Sequence, residues 1–218
     1  MTIYLPSTGP EGWQRLLADP YKHWRTGFSA KAVAHCWEAA SGLPPEIDAL
    51  LGGGTELLFA TPEHKVPLPG GRRASQCDVF ALVRRSDETI SVAIEAKVDE
   101  PFGPVLSEWL SDDSEGKRQR LDAILTMLGA SEPPLSLHYQ LFHRTAAAIV
   151  EARRFKTDAA AMIVHSFSST VRWFDAFAAF AEFLGISCSV GDAGTTILFD
   201  GRPLTIGWAK GDPKFLTI

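Results

Sequence analysis

Cysteine is scarce: Cys36, Cys77 and Cys188 are the only three in 218 residues, far apart and odd in number. They cannot supply a disulfide framework, and no CxxC pair opens a structural zinc site. The expected setting is reducing and cytoplasmic. Long apolar runs are missing too. None approaches the roughly 20 residues a bilayer-spanning helix needs, so no membrane partner is expected. Residues 1–6 lack the basic-then-apolar pattern of a secretory leader. Internal repeats, low-complexity tracts and linkers are also absent. An excess of basic charge is lacking: 21 Lys and Arg stand against 26 Asp and Glu, a net charge of −5. Phosphate neutralisation supplies much of the affinity of nucleic-acid binders, so this balance weighs against a wholly basic binding surface. Local clusters remain at 72–73, 117–120 and 153–156, each of which reads first as a solvated face.

What is present is an ordinary globular mixture, 45% apolar and 22% charged. That excludes global disorder, and the length can bury a core without staples. One domain over 1–218 is expected, with an irregular Pro- and Gly-rich arm over 1–28 holding a short helix near 13–18. Ser29 can cap a helix over 29–41, whose Ala30, Val33, Ala34, Trp37 and Ala40 recur at helical spacing. A second helix over 45–51 ends at Gly52, Gly53 and Gly54. Strands are expected over 57–60, extended by 66–68, and over 77–84 and 89–98. Helices follow at 117–128 and 139–155, a buried strand at 161–167, a helix at 171–184 and short strands at 187–190, 196–199 and 204–209. This order predicts an α/β fold: a central mixed sheet with helices on both faces.

Chemistry concentrates between positions 76 and 97. Alternation puts Val92, Ile94, Ala96 and Val98 on one strand face, and Ser91, Ala93, Glu95 and Lys97 on the other. A carboxylate and an ammonium at the end of so apolar a strand are costly unless paired or functional. If the preceding hairpin turns tightly at Ser86 and Asp87, Asp78 falls opposite Glu95. Like charges across an antiparallel pair repel, and a divalent cation between them reverses the penalty. A register slip of one residue would move Asp78 to the other face.

An Asp on one strand and Glu-x-Lys on the next resemble the PD-(D/E)XK phosphodiesterase superfamily, which includes restriction endonucleases and many repair nucleases. The resemblance extends over residues 29–167 and implies a restriction-endonuclease-like fold. It implies a nuclease dependent on Mg²⁺ (or Mn²⁺) that hydrolyses phosphodiesters in nucleic acid, with DNA the expected substrate. Asp78, Glu95 and the carbonyl of Ala96 become metal ligands, and Lys97 the residue that orients or activates the attacking water. Glu38 on the preceding helix matches a further acidic residue that members carry. Gln119 or Gln140 matches a glutamine on the later helices. Arg72, Arg73 and Arg144 are candidates for substrate phosphates, although a salt bridge also accounts for Arg144. One departure is Cys77, where the family has proline. Because inactive members keep the fold, the alternative is a non-catalytic protein binding nucleic acid or a protein partner. Oligomeric state stays open, a homodimer included.

Other signals carry less. The three glycines have no following Lys-Ser or Lys-Thr and read as a helix stop. His138 and His143, five apart, do not form a ligand pair. His165 reads as a hydrogen-bonded core histidine and the aromatics of 174–183 as core. No serine sits in a GxSxG frame.

Overall fold

A computed structural model describes residues 7–198 and 200–218. The reading of residues 1–6, and position 199 of the expected strand 196–199, lie outside the described residues. The arm holds two 3-10 turns, Pro10–Gly12 and Gln14–Leu16, and one α-helical turn, α1 (Pro20–His23), in place of a helix near 13–18. Pro10 and Pro20 each open a turn, since proline suits a first helical position and no later one. Helix α2 (Ser29–Ala39) starts with Ser29 as its first residue; Phe28 is the cap and offers no side-chain bond. Helix α3 (Pro45–Leu50) runs into Gly52, Gly53 and Gly54, all with positive φ. There the Asp48 carboxylate accepts from the amides of Gly54 and Thr55 at 3.2 and 2.8 Å. The glycines therefore stop a helix and do not cradle a phosphate.

Three strands form an antiparallel meander: β1 (Glu56–Val66), β2 (Ser75–Arg85) and β3 (Glu88–Lys97). The segment expected at 57–60 and Val66 belong to one eleven-residue strand, and Pro67 and Leu68 lie past its end. Ser86, with φ 52°, and Asp87 make the tight turn. Pairing runs from Arg85↔Glu88 to Val79↔Ile94, which leaves Asp78 next in line opposite Glu95. A short helix, α4 (Leu106–Trp109), was not expected. Helices α5 (Glu115–Leu128) and α6 (Tyr139–Phe155) then cross over to β4 (Ala159–Ser166), parallel to β3. Helix α7 (Phe174–Phe183) and strands β5 (Ala193–Ile197) and β6 (Pro203–Lys210) complete a sheet of order β1-β2-β3-β4-β6-β5. Residues 187–190, expected as a strand, are not one. The outer side of β6 is paired by β5 instead.

The chain is thus an α/β protein with a six-stranded mixed sheet flanked by helices. Every residue of β4 is buried, as a parallel strand covered on both faces requires. On one face α5, α6 and α7 pack Ile124, Leu141, Phe142, Phe177 and Phe180 against Ala93, Met162 and Trp208. On the other, α2 and α3 pack Val33, Trp37 and Ile47 against Val79, Val92, Ile94 and Ile163. No helix among the described residues is long and apolar enough to cross a membrane.

Candidate active site

Strand alternation sends Ala96 toward α2 and its neighbours Glu95 and Lys97 toward α6. Gln140 and Arg144, one helical turn apart at the start of α6, descend on them from the same helix face. The Lys97 amine donates to Glu95 Oε1 at 2.7 Å and to Gln140 Oε1 at 3.2 Å. Gln140 Nε2 donates to the same Glu95 oxygen at 2.7 Å. Arg144 Nε donates to Glu95 Oε2, and its Nη1 to Ser75 Oγ at 3.0 Å. Ser75 Oγ lies 2.8 Å from His143 Nδ1. Glu95 is 3% and Lys97 4% exposed, so both charges sit in protein, not water.

Asp78 sits at a fault in the sheet. Phe59, edge-on, and His64, stacked, both pack against Phe80, although five residues apart, which regular alternation forbids. Cys77 and Phe80, three apart, likewise both face α6. Alternation therefore slips here in both strands, apart from the register shift between Leu57 and Phe59 near the start of β1. Pro62↔Val79 and His64↔Cys77 place the slip at Glu63 and Asp78, opposite one another, with Glu63 at φ 52°. Asp78 Oδ2 accepts the Ala96 amide at 2.6 Å. A strand residue's amide and carbonyl project to one side, so the Ala96 carbonyl is directed toward Asp78 as well. Glu63, Gln76, Asp78, Glu95, Lys97 and Arg144 line a common open cleft of about 720 Å³, walled opposite by the arm and the start of α2.

The electrostatics of these carboxylates diverge. Burial pushes Glu95 up, but Arg144 and Lys97 outweigh it and hold the carboxyl at about 2. Burial, then the charges of Glu95 and Glu63, push Asp78 well above the usual carboxylate range. Burial also raises Glu63 to about 7, against the pull of Gln76 and Arg144. Burial and the Arg144 charge press the His143 imidazole well below its ordinary value, so it is neutral near pH 7. Five carboxylates line the cleft (Glu63, Asp78, Glu95, Asp99, Glu100) against Lys22, Lys97 and Arg144. A hard divalent cation fits that donor set, since its charge would offset both the burial and the repulsion that raise Asp78. Opposing this, both Glu95 oxygens already hold cationic or amide donors.

The expected residues divide into two groups. Asp78, Glu95, Ala96, Lys97, Gln140 and Arg144 meet in the cleft. Glu38 does not: it accepts from Trp13 Nε1 at 2.7 Å and from Ser7, tying the arm to α2. Only the first residues of α2 touch the cleft, and Glu38 lies nine residues on, about 13 Å along the helix axis. Gln119 is exposed and bonds Glu115 Oε1 at 3.0 Å on the outer face of α5. Arg72 and Arg73 line a separate cavity with His143. Residues the sequence reading missed are Glu63, Gln76 and Ser75; His143 had been set aside. Their signal was weak because Glu63 sits between two segments read as separate, and Ser75 and Gln76 precede the expected start of β2. Among the described residues, the only trio of His, Cys, Asp or Glu ligand atoms within 4.8 Å of one another is Cys36, Glu46 and His165. It lies on the α2 face, with His165 Nε2 2.8 Å from Glu46 Oε1, while the buried Nδ1 of the same ring has no partner.

These features define an α/β protein with a buried acidic and basic cluster at the open end of a mixed sheet. Over residues 6–213 the chain matches the family described as "Domain of unknown function (DUF6946)", and it belongs to that family. Neither a curated protein nor a solved structure matches it.

Proposed function

We propose that the chain is a metal-dependent nuclease of restriction-endonuclease-like type, hydrolysing phosphodiesters in DNA in a reducing, cytoplasmic setting. One observation carries the reading. Glu95 and Lys97, nearly without solvent contact, face an open cleft shared with a carboxyl, Asp78, that lacks a countercharge of its own. Buried ionisable groups with opposed shifts are characteristic of acid–base and metal sites. Asp78, Glu95 and the Ala96 carbonyl are the groups that would hold Mg²⁺ or Mn²⁺, whose chemistry when bound is to polarise a phosphodiester and acidify water. The Lys97 amine would act on the attacking water or on the oxygen that develops charge on phosphorus. Gln140, bonded to both Lys97 and Glu95, fixes their geometry. Arg144 holds Glu95 by its Nε and leaves a guanidinium edge for a phosphate oxygen.

A second reading has its own support. Lys97, Gln140 and Arg144 saturate Glu95, as in a cluster that has exchanged catalysis for binding. The two readings separate on digestion of plasmid with Mg²⁺ or Mn²⁺ by wild type and Glu95→Ala. Cleavage by wild type alone is the expected result. If wild type leaves plasmid, linear DNA, single strands and RNA intact with either metal, the nuclease reading is abandoned for the binding one.

A further inference from the structure

The cleft continues past Gln140. A smaller cavity beneath Phe102 shares Lys97 and Gln140 with it, and shares Tyr139 and His143 with a third cavity of about 540 Å³. The three cavities thus follow one another along the start of α6. The third cavity is roofed by the loop from Gly70 to Ser75 and floored by α4 and the start of α5. None of its lining residues is acidic, yet Arg72, Arg73, Lys117 and Arg120 all line it.

Arg120 is the telling residue. It is 7% exposed. Its Nη1 donates to the Arg73 carbonyl at 2.9 Å and its Nη2 to the Leu68 carbonyl at 3.3 Å. Nε is buried without a partner, and the Tyr139 phenol lies against the same guanidinium. Among the described residues no carboxylate pairs with Arg120, whereas Lys117 and Arg118 beside it pair with Asp112 and Asp113. A buried charge without a countercharge is costly, and such charges are ordinarily paired. The loop is shaped to lie on it: a Cβ at Gly70 would come within 2.5 Å of the Arg120 backbone, and one at Gly71 within 2.7 Å of Nη2. The glycines thus bring two further arginines over an unneutralised one.

We propose that this cavity is a phosphate-binding site, taking a phosphate of the same strand whose phosphodiester lies at Glu95. The anion site stands on Arg73, Lys117, Arg120 and the absence of acids. Only its assignment to a nucleic-acid strand rests on the nuclease reading. Arg73 and Lys117 supply donors to the phosphate oxygens from the rim, while Arg120 supplies the field from beneath. Asp112 competes for Lys117, at 2.7 Å, from outside the cavity.

The experiment titrates inorganic phosphate into metal-free protein by calorimetry at low salt, using wild type, Arg73→Ala/Lys117→Ala and Glu95→Gln. Neither replaced cation is buried, so the double variant should fold; circular dichroism checks this. Wild type should bind phosphate, and Glu95→Gln, which lifts the countercharge from Lys97 and Arg144, should bind it no more weakly. The double variant should bind about tenfold or more weakly, because charge-assisted hydrogen bonds are what it loses. Equal affinity in wild type and the double variant, or no phosphate binding by wild type, overturns the site. With a DNA substrate, the double variant should raise KM with kcat unchanged, the signature of binding shared by ground and transition states. A lower kcat at unchanged KM would overturn the assignment to the strand. Phosphate binding lost in the double variant while wild type cuts nothing would leave the anion site standing and end the nuclease reading. DNA cut by wild type with unaltered phosphate affinity in the double variant would do the reverse.

Discussion

Replacing Arg144 with methionine tests the buried cluster most directly. Arg144 is 8% exposed, pairs with Glu95 and donates to Ser75. Removing one member of a buried ion pair costs ~3–5 kcal/mol, because the remaining charge stays desolvated. Here Lys97 still holds the other Glu95 oxygen at 2.7 Å, so the low end, about 3 kcal/mol, is expected. For a chain of this size that is a fall in Tm of roughly 6–12 °C. The assay is urea and thermal unfolding at pH 7.5 in chelator, repeated with Mn²⁺. Without metal Arg144→Met should lose stability. With Mn²⁺ it should regain more than wild type gains, since the cation supplies the missing charge. The double variant Glu95→Gln/Arg144→Met should cost less than the sum of the single changes, because both charges leave together. Additive losses, or an Arg144→Met protein as stable in chelator as wild type, would refute the argument that Arg144 neutralises Glu95.

Lys97→Ala should lower turnover about 10²–10³-fold while Mn²⁺ heats persist, whereas Asp78→Ala should lose both; equal Mn²⁺ heats from wild type and Asp78→Ala would remove the metal site. Glu63 is raised from an ordinary 4.5 to about 7, so its contribution to stability is full below the lower value and is lost as pH rises through the upper one. Metal-free protein should accordingly weaken by up to ~3 kcal/mol between about pH 5 and pH 7.5, with the slope reduced in Glu63→Gln; a flat urea midpoint across that range would contradict it. Glu38→Ala should cost about 1 kcal/mol through the lost Trp13 bond and leave DNA cleavage unchanged; loss of cleavage at unchanged stability would return Glu38 to the site.

The parts of this molecule that follow a short-range rule were legible in its sequence. The turn at Ser86 and Asp87 sets the register of the hairpin, and the register brings Asp78 to Glu95. Helix α6 was readable to the residue from its apolar face, and that face carries Gln140 and Arg144 to the cluster. Glu63 was not legible, because it lies between two segments expected as separate strands, and alternation assigns faces only within a strand. Glu38 was misplaced for a related reason. Helical periodicity says which face a residue lies on but not how far along the sheet that helix is docked. Arg144 was assigned both substrate and salt-bridge roles, and the partner it finds, Glu95, is 49 positions away, a distance over which local patterns say nothing.

The break at Glu63 reaches beyond chemistry. Strand β1 is an outer strand of the sheet, and eleven extended residues with a free edge can template pairing with another chain. Pro62 contributes no amide hydrogen, and Glu63 turns the backbone into the left-handed region at the middle of that edge. A second copy laid alongside would lose its hydrogen-bond ladder there. Variants such as Pro62→Val with Glu63→Thr, which restore a straight edge, should therefore remove a cleft carboxylate and invite intermolecular β-pairing together. The irregularity beside the cleft thus also interrupts one of the two edges along which a second copy of the sheet could pair.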